Sequence, residues 1–495
     1  MPFTDLKPAT LAVIPRGRVG DPGAAGAPGD QISFNTLADA VATNIDPAVH
    51  HFRTGGYGAA GDGGDELYYR LGATPVPAKA WHAQTADGGW WEIANYQLNL
   101  LAIGGKGDDA TNNDTAFAAW ADAIDHGWSL LRLPYGKYRC SRFDLSGKSD
   151  FRIVGDGGID KNHTGKGSTI IITRTDNAAG IKARNCKGGM FEHIGITWAG
   201  VGFTGILLDI SCDVSGDNAL SFSYVHFYRY GGAAPYTALT CVYGKNCCNV
   251  LFTGCQFSHC NYGAVATIGS DSSAATGVWT FNKCWFIYLN AAYVNPGLTW
   301  HFGACHFEPS PTGAPAGGFS IAPNYFEAVN HDGCTCADAT APGIWFDTTN
   351  WFGGGFINGS IGGDTDVSGD VVTGIRADHI FGASFNGNLW SGVTNGIILN
   401  GPFLSEFTCT GGSWPNATTA IGNPQFMDRS CNVSDGNSMP GIYPRRLQSV
   451  ALAQLPNATT FAGGIVTVPD ATGGECVAIA SGGSWKKVAL GATVS

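Results

Sequence analysis

Five copies of the pattern Phe-x-x-[Ile/Val/Cys]-x-[Ile/Phe] start at Phe191, Phe222, Phe252, Phe281 and Phe302, spaced 31, 30, 29 and 21 residues apart. A period of 20–30 residues with one short strand motif per unit is the signature of a solenoid. Alternation within the last three positions has period two, so the repeated element is a β-strand. Apolar residues of successive coils then stack into one continuous core, and Cys255, Cys284 and Cys305 form an interior column. They read as small buried apolar residues with reduced thiols, the alternative being disulfides. Weaker copies begin at Ile321, Phe352 and Ile380.

Composition agrees. Of 495 residues, 72 are Gly and only 14% are charged, against the ~25% usual in globular chains. A helical bundle is excluded by this balance, and disorder by the 44% apolar content. A net charge of −11 without a basic stripe argues against a nucleic-acid partner. No apolar run approaches the ~18 residues of a membrane span. The first residues hold one short apolar patch, Leu11 to Ile14, between Pro8 and Pro15, too short for a secretory signal. Fifteen cysteines cannot all pair within one chain, and no zinc knuckle spacing occurs around the densest spots, Cys247–Cys248 and Cys334/Cys336.

Gly17, Gly20, Gly23, Gly26 and Gly29 recur at every third position with Pro22 and Pro28 between them. This is collagen grammar, since only Gly fits the axis of three wound chains. It reads as a short trimeric neck, or as a flexible Gly/Pro linker. Further on, Asn113 or Asp114 can cap a helix Thr115–Asp125 with Ala116, Phe117, Trp120, Ala123 and Ile124 on one face. Strands at Ser129–Leu133 and Tyr138–Phe143 flank a Pro-Tyr-Gly turn. Beyond Gly441, GGIVTVP, ECVAIAS and SWKKVAL read as strands of a small module.

The segments GGYGAAGDGGDELYYR (55–70), GKGDDATNNDTAFAAWADAI and LRLPYGKYRCS, with the coil repeats, make residues 50–430 resemble the bacteriophage tailspike and tail-fibre proteins that carry a pectate-lyase-like right-handed β-helix. The resemblance implies an all-β fold: a right-handed parallel β-helix solenoid in a homotrimer, with a collagen-like N-terminal neck and a small C-terminal β module. The expected organisation is a virion-attachment segment at 1–16, the neck at 17–31, a head or adaptor region at 32–103, the β-helix at 104–440 and a C-terminal module for trimerisation or the tip at 441–495. Implied partners are two further copies, a virion tail or baseplate protein at the N-terminus, and a bacterial surface glycan. The expected location is the virion, reached by assembly in the bacterial cytoplasm without a signal peptide. The family includes hydrolases, lyases and non-catalytic binders, so depolymerase activity stays open and no catalytic residue transfers by match. A purely structural fibre or collar appendage is the rival reading, and a free bacterial polysaccharide enzyme a more distant one.

The coil register itself suggests a site. Counting from each Phe, the fifth residues (Gly195, His226, Gln256, Trp285, His306) and seventh residues (Thr197, Tyr228, Ser258, Ile287, Glu308) face outward. If the weak copy at Ile321 is the next coil, Tyr325 and Glu327 extend these columns. Coils lie about 4.8 Å apart, so Glu308 and Glu327 become neighbours beside His306. Two carboxylates flanking a sugar bond are what glycoside hydrolysis needs. Catalytic candidates are therefore Glu308, Glu327 and His306, with Trp285, Tyr325 and Tyr228 as flat faces for sugar rings. The competing reading has these carboxylates solvated or facing another chain, and a one-residue slip turns the column over. No cofactor is expected, a calcium ion at Asp364, Asp366 and Asp370 being the alternative to a simple polar turn there. That oxygen-rich turn has an incomplete calcium pattern.

Overall fold

The computed structural model describes residues 31–157, most of 167–309, a series of strand backbones between 320 and 449, and the strands of 465–488. Residues 1–30, with the Gly triplets, lie outside the described residues, as do Phe352 and the Asp364, Asp366 and Asp370 turn. The chain divides into two compact units, Met1–Ala233 with Thr253–Gln256, and the remainder.

The first unit opens with a five-stranded sheet in the order Gln31–Phe34, His51–Thr54, Leu67–Arg70, Trp90–Ile93, His82–Gln84. Phe52 is sandwiched in its core by Tyr68, stacked at 4.7 Å, and Trp91, edge-on at 4.8 Å. The Gly-rich stretch before the third strand wraps around one carboxylate. Asp62 accepts the backbone N–H groups of Tyr57, Gly58, Ala59 and Gly64 at 2.7–3.0 Å. Against the opposing pull of burial, these four donors hold its carboxyl below the usual range.

The chain enters its coils through Gln97–Asn99, Asp108–Asn112 and the helix Asp114–Asp125. Ala116, Phe117, Trp120, Ala121 and Ala123 form the helix's buried face, and Phe117 and Trp120 pack on Phe143. Asn113 does precede this helix, but its side chain makes no capping bond. It ties the loop together instead, accepting from Lys106 N–H at 2.7 Å and donating to the carbonyls of Lys106, Thr111 and Arg139.

Three parallel sheets then gain strands turn by turn. One holds Leu130–Leu133, Arg152–Gly155, Gly189–Glu192 and Leu220–Ser223. The second holds Gly136–Cys140, Ser168–Ile172, Ile194–Trp198 and His226–Arg229. The third holds Phe143–Asp144, Ile181–Lys182 and Ile206–Asp209. This is a parallel β-helix. In the second unit the same plan continues through Val278–Asn282 paired with Thr299–Gly303, Trp285–Leu289 with His306–Pro309, and Thr240–Lys245 with Tyr262–Thr267 and Ala291–Val294.

The repeat has a backbone cause. Its third residue is left-handed in every copy: His193, Tyr224, Gly254, Lys283 and Ala304 have φ between 49° and 60°. One residue in this conformation bends the chain from the first sheet into the second, and its N–H still bonds the next coil, as from His193 to Ser223 at 3.0 Å and Lys283 to Gly303 at 2.8 Å. The residues on either side of the bend can then both point inward. Phe191 stacks on Phe222 at 5.1 Å in the first unit, and Phe252, Phe281 and Phe302 stack at 4.7 Å intervals in the second. Trp279 and Trp300 do the same at 4.7 Å. The fourth-position cysteines are buried and free, and each donates its S–H to the Phe carbonyl of the preceding coil: Cys255 to Phe222 at 3.3 Å, Cys284 to Phe252 at 3.5 Å, Cys305 to Phe281 at 3.4 Å.

The weak copies lie elsewhere than expected. Ser320–Ile321 and Thr373–Phe381, which contain Ile321 and Ile380, belong to a separate parallel set with Ile344–Phe346, Asn395–Ser405 and Thr419–Gly422. Opposite Phe302 the register runs to His331, Ile357, Phe385, Cys409 and Val433. There the bend is absorbed into one nine-residue strand, Ala328–Cys336, with a register shift between Asp332 and Cys334. The last strands, Ile465–Val468, Cys476–Ser481 and Ser484–Val488, are antiparallel, and Val466, Val468, Cys476 and Ala478 pack with Leu455 and Trp485.

Two outcomes follow from the bend and the buried thiols. Ala304→Gly relieves a left-handed alanine and raises stability by about 1 kcal/mol, whereas Gly254→Ala, whose Cβ would meet the Tyr224 ring at 2.7 Å, lowers it by more than that; denaturant unfolding of both variants reads the two signs. Burial pushes the Cys186 thiol up to about 12 and raises those of Cys140 and Cys241 well above the ordinary range. The ten cysteines whose thiols are seen buried and free resist a thiol reagent in the native protein because it cannot reach them, and react once the protein is denatured, as peptide mapping after alkylation will register.

Candidate functional site

The outward positions of the second sheet separate into a covered part and an open part. In the first unit Thr197, His226 and Tyr228 are buried. Tyr228, expected to offer a ring face to a sugar, is only 3% exposed. Its ring stacks on His226 at 4.5 Å and lies 3.3 Å from where a Cβ on Gly195 would sit. Strand alternation gives inside and outside of the coil, and here the outside is itself covered, so Tyr228 is a packing residue.

In the second unit the column opens. Trp285 is 54% exposed, the largest exposed aromatic side chain among the described residues of its sheet. It pairs across the strands with half-buried His306, ring centroids 5.4 Å apart and tilted by 54°. Ile287, two residues along, is covered. Trp285 is held in place from beneath: Phe286 stacks on Phe257 at 4.7 Å, and the left-handed Lys283 sets the strand's direction two residues earlier. A tryptophan fixed on a strand presents its ring at low entropic cost, and its apolar face with a polar neighbour suits a sugar ring.

For the remaining candidates the coil register differs from the one the sequence suggests. Glu308 occupies the register position opposite Ile287, two residues beyond His306 on the strand His306–Pro309. Opposite His306 in the next coil stands Thr335, from Ala328–Cys336, rather than Tyr325, because the coil of this sheet restarts at Ala328 and not at Ile321. Glu327 and Tyr325 lie outside the described residues. The expected register for a Glu308–Glu327 pair rested on the Ile321 copy, which belongs to another sheet. Asn324, a polar residue where the repeat demands an apolar one, was the sequence signal for this shift. Among the described residues no group of three or more His, Cys, Asp or Glu side chains is placed to hold a metal ion. No described helix is long and apolar enough to cross a membrane.

No protein-family description matches the sequence, and no curated protein is similar to it in sequence. Solved structures are similar in fold. The gp42 tailspike of Acinetobacter phage vb_AbaP_AS12 aligns over 92% of this chain and 91% of its own with a TM-score of 0.52 at 12% identity. The gp49 tailspike of Acinetobacter baumannii bacteriophage Fri1, described as a capsular polysaccharide depolymerase, aligns over 91% of this chain and 81% of its own with a TM-score of 0.47 at 12% identity. The enzymatically active domain of tailspike protein 2 from bacteriophage CBA120 aligns over 81% of this chain at a TM-score of 0.46 and 13% identity, and this chain spans about half of it, 56%. The full-length form of that tailspike is spanned to 50%. The gp42 likeness shows that the chain has the parallel β-helix fold found in phage tailspikes.

Exposure separates the two aromatic candidates by their role in stability. Trp285→Ala, at an exposed site, changes unfolding free energy by no more than about 0.5 kcal/mol, while Tyr228→Ala, at a buried one, costs about 3 kcal/mol. Chemical denaturation of the two variants distinguishes a surface platform from a packing residue; equal losses would make Trp285 structural.

Proposed function

We propose that the protein is a virion tail spike or tail fibre that binds a bacterial surface polysaccharide through the outer face of its β-helix around Trp285 and His306. The observation that carries this reading is the exposed Trp285 ring beside His306, in a sheet whose other outward positions are mostly covered. An aromatic ring fixed on a strand beside a polar side chain offers a flat apolar face to a sugar ring, and the acidic chain, net −11, favours neutral or weakly charged partners. The Gly triplets at 17–29 support a three-chain neck, since that spacing has no steric purpose in a single chain. Homotrimerisation and attachment to a tail or baseplate protein through the N-terminus belong to the same reading.

Cleavage of the bound glycan is the finer proposal. Glu308, in the strand that carries His306, is the carboxylate to act as proton donor, with His306 next to the bond as acid or base. Glu327 stays a candidate second carboxylate without an assigned position. The rival reading, a purely structural fibre or collar appendage, predicts neither binding nor turnover.

The test is incubation of the intact protein with capsule or lipopolysaccharide from susceptible and resistant hosts. Expected is binding that Trp285→Ala weakens by about tenfold or more. If new reducing ends or unsaturated uronates accumulate, Glu308→Gln abolishes them. Binding without products leaves a recognition spike, and absence of both establishes the structural reading.

A further inference from the structure

Glu66 sits where the N-terminal sheet meets the first coil, and it is only 3% exposed. Its backbone belongs to the sheet: its N–H donates to the Thr54 hydroxyl at 3.1 Å and its carbonyl accepts from Thr54 N–H at 2.9 Å. Its carboxyl belongs to the junction. It accepts from the Asn95 side-chain amide, one residue after the sheet's strand Trp90–Ile93 and its neighbour Ala94. Asn95 leads directly into the first coil strand, Gln97–Asn99, and Asn99 reaches back to the Gly63 carbonyl at 2.7 Å. The segment Gly63–Glu66 is thereby clasped between Asn95 and Asn99.

The charged and titratable surroundings are few. Asp65 precedes Glu66 and pairs with exposed Arg53 at 3.3 Å. Arg132, from the first coil, is engaged by Asp156 through two bonds of 3.0 and 2.8 Å. Buried Tyr68 lies within electrostatic reach, with Tyr57 beyond it. An ionised Glu66 is therefore a buried charge with only neutral amides, the Asn95 side chain and the Leu67 backbone N–H, as hydrogen-bond partners, beside a like charge, while the Arg132 cation is committed to Asp156. Such a charge is expensive to keep.

We infer that Glu66 is a proton-operated latch between the N-terminal sheet and the first coil: the neutral acid stays buried in the junction beside Asn95, and ionisation, against the pull of the Asn95 bond, draws the carboxylate toward water and loosens Gly63–Glu66 from Asn95 and Asn99. Burial pushes its pKa from 4.5 up to about 7, with the Asn95 bond opposing, the Asp65 charge adding and the Arg132 charge opposing. The folded form thus holds the proton more tightly than the unfolded chain. Its stabilising effect is complete below pH 4.5 and is lost as the pH rises to about 7 and beyond.

Hydrogen–deuterium exchange of the intact protein, corrected for the intrinsic pH dependence of exchange, tests this in peptides covering residues 57–66 and 95–104. Expected is a loss of protection of at least about tenfold on passing from acid to above neutral pH, with peptides of the aromatic coil stack unchanged. Glu66→Gln removes the pH dependence and keeps protection high. Asn95→Ala, which deletes the bond favouring the charged form, moves the loss to higher pH. Protection independent of pH in the natural protein, or the same pH dependence in Glu66→Gln, overturns the latch; an unmoved transition in Asn95→Ala does so as well, even if the Gln variant fails to fold.

Discussion

One residue at the same position of each aromatic repeat, held in the left-handed conformation, is the constraint on which the described coils depend. His193, Tyr224, Gly254, Lys283 and Ala304 each turn the strand direction within one peptide unit, and the N–H groups of His193, Tyr224 and Lys283 stay in the ladder, donating to Ser223, Thr253 and Gly303. A longer loop would put the two inward side chains on either side of the bend out of reach of each other. With a one-residue bend, Phe252 and Phe257 meet edge-on at 5.6 Å within a coil and stack at 4.7 Å on Phe281 and Phe286 between coils. The backbone cost of four non-glycine residues in this region, about 1–2 kcal/mol each, is offset by burial of these rings. Tyr224 recovers part of its share by stacking on His193 at 5.1 Å and lying over Gly254, which has no side chain to obstruct it.

Much of this was legible in the sequence because period-two alternation and a fixed aromatic phase are local signals. The repeated Phe states both the strand and the stacking partner, and the structure places Phe191 with Phe222 in the first unit, and Phe252, Phe281 and Phe302 in the second, as read. The bend itself was not legible: Tyr, His, Lys and Ala are poor advertisements for a left-handed backbone, and only Gly254 hints at it. The register was lost after Phe302, where the position facing that ring is His331 and the bend disappears into Ala328–Cys336. With the aromatic marker gone, Ile321 was the nearest look-alike, though its strand belongs to a different sheet.

The candidate site was half legible for a related reason. Alternation places Trp285, His306 and Tyr228 on the outside of the coil, and that much is correct. Whether the outside meets water is set by segments distant in sequence, and no periodicity encodes it. Tyr228 is covered and Trp285 is not, although they occupy similar positions of the same motif. Glu66 was not singled out at all, since an acidic residue in a Gly/Asp-rich stretch reads as solvated until its burial is seen.

The one-residue corner also bears on how such a molecule changes size. Because the turns that carry the aromatic motif share the same bend, a whole turn of 21 to 31 residues can be gained or lost among them with both cut surfaces still matching. A partial turn leaves an inward ring facing outward. Length variants that remain soluble are therefore expected to differ by complete turns, while insertions between strands, away from the corners, vary freely.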